Sequence, residues 1–485
     1  MALQRVLLMS ATAISVCLLS GQALAGKNSD VRVSQLEEKI ARLQKKVDSI
    51  EANQKSKKTE QVEKESKVTK AELSVLGHMV RSGVTISTTP FLGLRNGQVL
   101  YSVPSMNEDL RILKQRGDLE TKLNALGTSL SERALVGISG AVEGDFIEQK
   151  NWRSKFLGDT NLGTAEIDVG VMAGNWIDAF FSITYNSTST DTGSRVPNNE
   201  LYLQRGFLTI GNLKKSPIYF SIGQMYVPFG RYASAMITTP LTQSMGRISA
   251  RAAVLGYSNG PLFAQVYGYN SLSQSRSSFP TDEGGVNFGG EYDFGVQSLS
   301  FGIGAVTNMA DSQGALNNTS PSGFTGFNAA GTTFTLRHNV PAVDVYANYN
   351  RDTWSFIIEG LGAARSYSPL DMYYGSSGAG AKPAAFHTEF DYNTHFFGKP
   401  ATAAVTYGQT WQALAMNLPR HSISVIYDVQ VWRQAAIGVE IRHDMNYKSG
   451  TASGGAIGTG TAGSTVPVCE GGTRDIITTR FGVYF

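Results

Sequence analysis

Val136-Gly137-Ile138-Ser139-Gly140-Ala141-Val142-Glu143-Gly144-Asp145-Phe146 repeats with a period of two. One face carries only apolar residues or glycine, ending on Val142, Gly144 and Phe146, while the other holds Ser139, Glu143 and Asp145. Successive side chains of an extended chain point to opposite faces, so this is a strand with one polar and one apolar side. The pattern recurs downstream. Glu166 and Asp168 alternate with Ile167, Val169 and Val171, and Glu440, Arg442 and Asp444 alternate with Ile437, Val439 and Ile441.

A soluble sandwich would show the same alternation, so the connections decide. Short turns at Gly174-Asn175, Lys214-Lys215-Ser216, Asn259-Gly260, Gly295-Val296-Gln297 and Asn350-Arg351-Asp352 alternate with long stretches rich in Gly, Ser, Thr and Asn. Those stretches run over about 148–162, 188–199, 228–250, 272–285, 308–331, 365–383, 412–420 and 446–472. Short turns at one end and long loops at the other mark an outer-membrane barrel, whose two rims face different compartments. The count is 16 antiparallel strands between Ala134 and Phe485, the first pairing with the last because an open edge cannot exist in lipid. At the carboxyl end Ile477, Thr479, Phe481, Val483 and Phe485 share one face and finish on an aromatic, resembling the signal read by the barrel-assembly machinery of bacteria. Trp176, Tyr185, Tyr226, Trp354, Trp411 and Trp432, at strand ends, are candidates for the interfacial girdles.

Composition agrees. Of 485 residues 41% are hydrophobic, 10% aromatic and 17% charged, with 52 Gly; soluble domains carry nearer a quarter charged. That excludes a disordered chain, and no long apolar run outside the amino terminus suggests a membrane helix. The net charge of +3 gives no reason to expect nucleic acid.

Residues 1–25 read as a signal peptide: Arg5 precedes an apolar stretch from Val6 to Leu19, and Ala23-Leu24-Ala25 offers a cleavage site. Cys469 is then the remaining cysteine, so no intrachain disulfide is expected. Residues 26–53 hold a short coiled coil, with Val33, Ile40 and Val47 at position a and Leu36, Leu43 and Ile50 at d, which would support a homo-oligomer. Residues 54–133 read as a charged linker followed by a periplasmic, plug-like segment. Within it Ser105 and Glu108 form a capping-box pattern before Leu110, Leu113, Leu119, Leu123 and Leu126, predicting one amphipathic helix. Whether that segment plugs the barrel or merely packs stays open.

Enzyme signatures are weak. Gly458-Thr459-Gly460-Thr461-Ala462-Gly463 matches a dinucleotide fingerprint, but no strand and helix frame it. His387, Glu389 and Asp391 share one strand face, ordinary for a polar lumen, and neither a cofactor nor a metal is expected. More informative is the third long loop. From Pro228 to Arg251 it carries Arg231, Arg247 and Arg251 and no acid, with Tyr232 beside the first. A third loop folded into a lumen would place these four residues at a basic constriction that favours anions, guanidinium forking onto carboxylate. The competing reading pairs these arginines with lumen carboxylates such as Glu166 or Asp168, or with lipid phosphates. Arg205 lies where the alternation of Leu201 and Leu203 slips, so a bulge would turn it inward.

The leader, the coiled coil, the helix near Asn107-Glu108-Asp109-Leu110, the opening strand Ile138–Gly144 and the segment Tyr226-Val227-Pro228-Phe229-Gly230 together resemble the LbtU family of siderophore porins. The resemblance implies an outer-membrane barrel with a periplasmic extension that takes up a ferric siderophore without the TonB system. Length supports the energetic part, since a TonB-dependent receptor needs about 22 strands and a globular plug. Expected partners are therefore a ferric, polycarboxylate siderophore and the lipid and lipopolysaccharide of the outer membrane. The alternatives are a general diffusion porin or a structural, adhesive barrel.

Overall fold

The computed structural model describes residues 80–82, 90–95, 98–102, 106–125, 135–150, 156–187, 199–271, 273–274, 283–295, 297–316, 334–351, 353–432, 434–455 and 471–485. The leader, the coiled coil, Ser105, the glycine-rich 458–463 and Cys469 lie outside them.

Period-two sequence becomes strand throughout. The wall consists of β1 (Leu135–Lys150), β2 (Phe156–Ala173), β3 (Ile177–Ser187), β4 (Asn199–Gly211), β5 (Ile218–Tyr226), β6 (Ser249–Asn259), β7 (Leu262–Tyr269) and β8 (Glu283–Asp293). It continues through β9 (Gln297–Val306), β10 (Ala342–Arg351), β11 (Trp354–Ala363), β12 (Ala384–Phe396), β13 (Lys399–Trp411), β14 (His421–Trp432), β15 (Ala435–Met445) and β16 (Thr473–Tyr484). Each pairs antiparallel with its sequence neighbours, and β16 returns to β1 in the register Arg480↔Asp145 and Tyr484↔Ala141. Gly140 and Phe485 exchange both backbone hydrogen bonds at the seam, at 2.8 and 3.0 Å. The sheet is a closed barrel of 16 strands. All five short turns fall as read, while β1 and β2 run further into the first long stretch than expected, β1 to Lys150 and β2 from Phe156.

The faces are inverted relative to a soluble protein. Exposed positions are apolar, as with Phe146 (63% exposed), Val425 (53%) and Ile441 (55%), whereas buried positions on the same strands are Glu143, Asp145, Ser424 and Glu440. Ile477, Phe481, Val483 and Phe485 all lie on the exposed side. Lipid outside and a polar interior is the arrangement that alternation allows in a bilayer. Trp176, Trp411 and Trp432 are exposed near strand ends, as girdle residues would be; Tyr226 is buried in the interior and is not one.

Before the wall comes α1 (Glu108–Ala125). A short strand Val80–Ser82 runs parallel to the start of β1, and the hairpin of Pro90–Arg95 with Gln98–Ser102 brings Cα atoms within 8 Å of β13, β14 and β16.

Val425 and Ile441 face each other across β14 and β15 on the lipid side. Val425→Arg should therefore destabilise the barrel by about 2–4 kcal/mol in urea-dependent folding into phospholipid vesicles. A surface substitution on a soluble sandwich would be near neutral.

Candidate functional site

The third loop, 227–248, turns into the barrel and not outward. Positive φ at Gly230 (82°) and Tyr232 (55°) bends the chain inward. At Gly230 a Cβ would collide with the Tyr232 ring, so the turn requires glycine. Val227, Phe229, Tyr232, Ala235, Met236, Ile237, Leu241 and Met245 are all buried. Val227, Phe229, Tyr232, Leu241 and Met245 join a core that also takes in Leu361, Ala385, Tyr267 and Tyr269 from the wall, with Met309, Tyr367 and Met416 from other loops, while Ala235 and Met236 pack on Ala404 and Ile426. The loop returns through α2 (Leu241–Gly246), which lies against β11, β12 and β13.

Its backbone amides must find acceptors once buried, and three wall carboxylates supply them. Glu359 on β11 accepts from the amides of Arg231 at 2.6 Å and Tyr232 at 3.0 Å, and from the Thr242 hydroxyl at 3.1 Å. Glu389 on β12 accepts from the Ala235 amide at 2.6 Å and the Ser234 hydroxyl at 2.5 Å. Glu440 on β15 accepts from the amide and hydroxyl of Thr238, at 2.7 and 2.6 Å. The loop therefore crosses the lumen from β5 to β15. Its lack of acids has a structural cause: it lies on a wall carrying Asp344, Glu359, Glu389, Asp391, Asp428 and Glu440, all buried. An acid in the loop would meet like charge there.

The four predicted residues separate. Arg231 is buried and pairs with Glu291 on β8 at 3.1 Å. Tyr232 packs in the core, its amide on Glu359. Arg247 stacks over the Tyr226 ring, 4.6 Å from the centroid, and donates to Gln313 of α3 (Gln313–Leu316) at 2.9 Å. Arg251 shares the exposed parity of Leu255 and Tyr257 on β6, so it sits on the outer surface at the loop end of the barrel. Arg231 and Arg247 thus belong to the loop that fills the lumen; Arg251 does not face the lumen with them. His387 Nε2 lies 3.2 Å from the Glu389 carboxylate, within the loop's anchor.

Below the loop, α1 occupies the interior. Met106 and Ile112 belong to the loop's core, and Leu110 and Leu113 pack on Tyr219 of β5 and Phe263 of β7. Asp109 accepts from Ser221 at 2.9 Å, and Asn287 donates to Asn107 at 3.4 Å. Arg116 donates to Asp178 at 3.0 Å and to the Gly174 carbonyl, at the short-turn rim. The deepest tie is Arg205, fully buried. A slip of register between Ser182 and Ile183 leaves Gln204 unmatched and turns Arg205 inward, as the broken alternation predicted. There it pairs with Glu108 of α1, with Glu166 at 2.7 Å and with Asp168 at 3.5 Å, its guanidinium 5.0 Å from the Phe180 ring centre.

Three further arginines face the lumen from the strands. Arg480 forks onto Asp145 at 2.7 and 2.8 Å beside Glu143, and Arg442 and Arg474 share Asp444 at 2.8 and 2.5 Å. Arg442 also reaches Thr238 of the loop at 3.2 Å. The signal was present: Arg474 and Arg480 have the parity opposite to Ile477 and Phe481, which face lipid.

A closed antiparallel barrel with an apolar exterior, a polar interior, long loops at one rim and a third loop folded inside defines a porin-type outer-membrane protein. No family model matches the chain. It is 33% identical over 484 residues to the UPF0422 protein of Coxiella burnetii, covering 98% of this chain and 97% of that one. To the UPF0422 protein of Legionella pneumophila strain Lens it is 32% identical over 425 residues, 83% of this chain and 77% of the relative. The chain belongs to the UPF0422 family. Among solved structures it is similar to an anion-selective porin from Comamonas acidovorans, at TM-score 0.46 and 12% identity, over 73% of this chain and all of that one. It is also similar to the outer-membrane channel DcaP of Acinetobacter baumannii, at TM-score 0.43 and 14% identity, over 72% and 97% of the two chains.

Glu359→Leu leaves the amides of Arg231 and Tyr232 without acceptors in a dry interior. The expected loss is about 1–3 kcal/mol for each stranded donor, read as loop 3 becoming protease-sensitive at a denaturant concentration that leaves the barrel folded. Arg205→Ala strands Glu166 and Asp168 and should cost about 3–5 kcal/mol of barrel stability.

Proposed function

We propose that this protein is a selective uptake channel of the outer membrane, passing a ferric polycarboxylate siderophore down its gradient without TonB coupling. The observation that supports selectivity is the filled interior, where loop 3 crosses to β15 and α1 lies beneath it. The substrate class rests on the resemblance to the siderophore porins. A barrel of 16 strands supports the absence of TonB coupling, because coupled receptors enclose a globular plug within about 22.

Arg231 and Arg247 act by holding the loop that frames the passage. Arg251, outside, is suited to lipopolysaccharide phosphate. The coiled coil at 26–53 would gather copies in the periplasm, where the amino-terminal extension lies. The general-porin reading has one observation in its favour: the wall from β10 to β15 is rich in carboxylates, which repel a polycarboxylate.

The test is uptake of radioiron as a ferric polycarboxylate siderophore by cells lacking both TonB and their own siderophore receptors. Saturable, energy-independent uptake on expression of this chain is expected, reduced more by Arg231→Ala or Arg247→Ala than by Arg251→Ala. Equal, non-saturable entry of the ferric siderophore and a neutral sugar of similar size would replace this reading with general diffusion.

A further inference from the structure

A helix built to stay in a core presents an apolar stripe to it. The buried stretch Met106–Arg116 is only partly of that kind: Leu110 and Leu113 pack on Tyr219 and Phe263, but Asn107, Glu108, Asp109 and Arg116 meet polar groups of the wall. Three of the wall groups it touches, Arg205, Ser221 and Asn287, keep a second partner on the wall. Arg205 has Glu166 and Asp168 besides Glu108. Ser221 has Thr209 at 3.0 Å besides Asp109, and Asn287 has Gln265 at 2.9 Å besides Asn107. Arg116 meets Asp178 and the Gly174 carbonyl at the short-turn rim, where water can take its place. Barrel closure runs through β16 and β1 and uses no hydrogen bond to the helix. Withdrawing α1 therefore unpairs no strand; Arg205, Ser221 and Asn287 keep their wall partners, Glu291 keeps Arg231 of loop 3, and Asp178 turns to water at the rim.

We infer that α1 is a displaceable plug: seated, it closes the lumen along β3–β8 from the short-turn side, and its departure opens a passage there. This rests on the channel reading above. Glu108 is the latch, since it is the helix's own contribution to the carboxylate set around Arg205.

Glu120 of α1 and Lys214 in the turn between β4 and β5 lie 3.9 Å apart and are 15% and 38% exposed, so both accept a thiol reagent. In the full chain carrying Cys17→Ser and Cys469→Ser, Glu120→Cys and Lys214→Cys would be bridged by a short bis-methanethiosulfonate, with each single-cysteine chain treated alike. Conductance in planar bilayers is read before bridging, after it, and after reductant. Stepped openings that vanish only in the bridged double variant and return on reduction are expected, as is Glu108→Lys holding the channel open by repulsion from Arg205. Openings unchanged by the bridge would overturn the plug, and so would a Glu108→Lys barrel, folded by its heat-shifted gel mobility, that is as silent as the bridged form. Gated conductance without siderophore uptake would instead remove the substrate proposal and leave the plug standing.

Discussion

An amide in hydrocarbon has no water to bond, and each one left unpaired costs several kcal/mol. Everything in this barrel follows from that constraint. The chain satisfies it by closing β16 onto β1, and closure fixes which parity of every strand faces lipid. With the outer face committed to Phe146, Val425, Ile441 and Phe481, charge has one place to go. The inner face of the wall fills with carboxylates, guanidiniums and hydroxyls, among which loop 3 and α1 pack their apolar residues.

A polar inner wall imposes its own complementarity. Loop 3 brings amide donors and arginines but no acid, and the wall it crosses brings acids. Glu359, Glu389 and Glu440 each take donors from the loop, so its backbone accounting is closed by side chains instead of by secondary structure. An acid-free basic loop read in isolation looks like a lure for anions. Seen against its wall, the same composition is what docking requires, and the arginines at its two ends are bound to Glu291, Gln313 and Tyr226.

This explains what was legible beforehand. Period-two alternation and five short turns at one rim are local features, and the barrel with its strand number came from them. The bulge at Arg205 was legible for the same reason, because a slipped alternation is visible within one strand. The entry of loop 3 was expected on general grounds, but its anchors were not, since Tyr232 and Glu359 lie far apart in sequence and meet only across the lumen. Arg251 is different: Ala252 and Val254 against Leu255 and Tyr257 already set its parity outward, and counting from the lipid face of β6 places it correctly. The same count picks out Arg442, Arg474 and Arg480. The helix pattern in 105–126 was readable, whereas its seat depended on Arg205 and Ser221 from two strands brought together by the fold.

The seat of α1 shows why a plug in such a barrel should be held by charge. An apolar seat would need apolar wall residues on the lumen side as well, giving strands greasy on both faces whose register nothing would fix. Once such a plug left, the bare apolar patch would draw it back or collapse. This seat keeps its apolar part to Tyr219 and Phe263 under Leu110 and Leu113 and sets shared ion pairs beside it: burial of a guanidinium is costly, but Arg205 meets that cost with two wall carboxylates whether or not Glu108 is present. The redundancy around one arginine therefore separates two requirements that would otherwise conflict, a barrel stable by itself and a helix free to move.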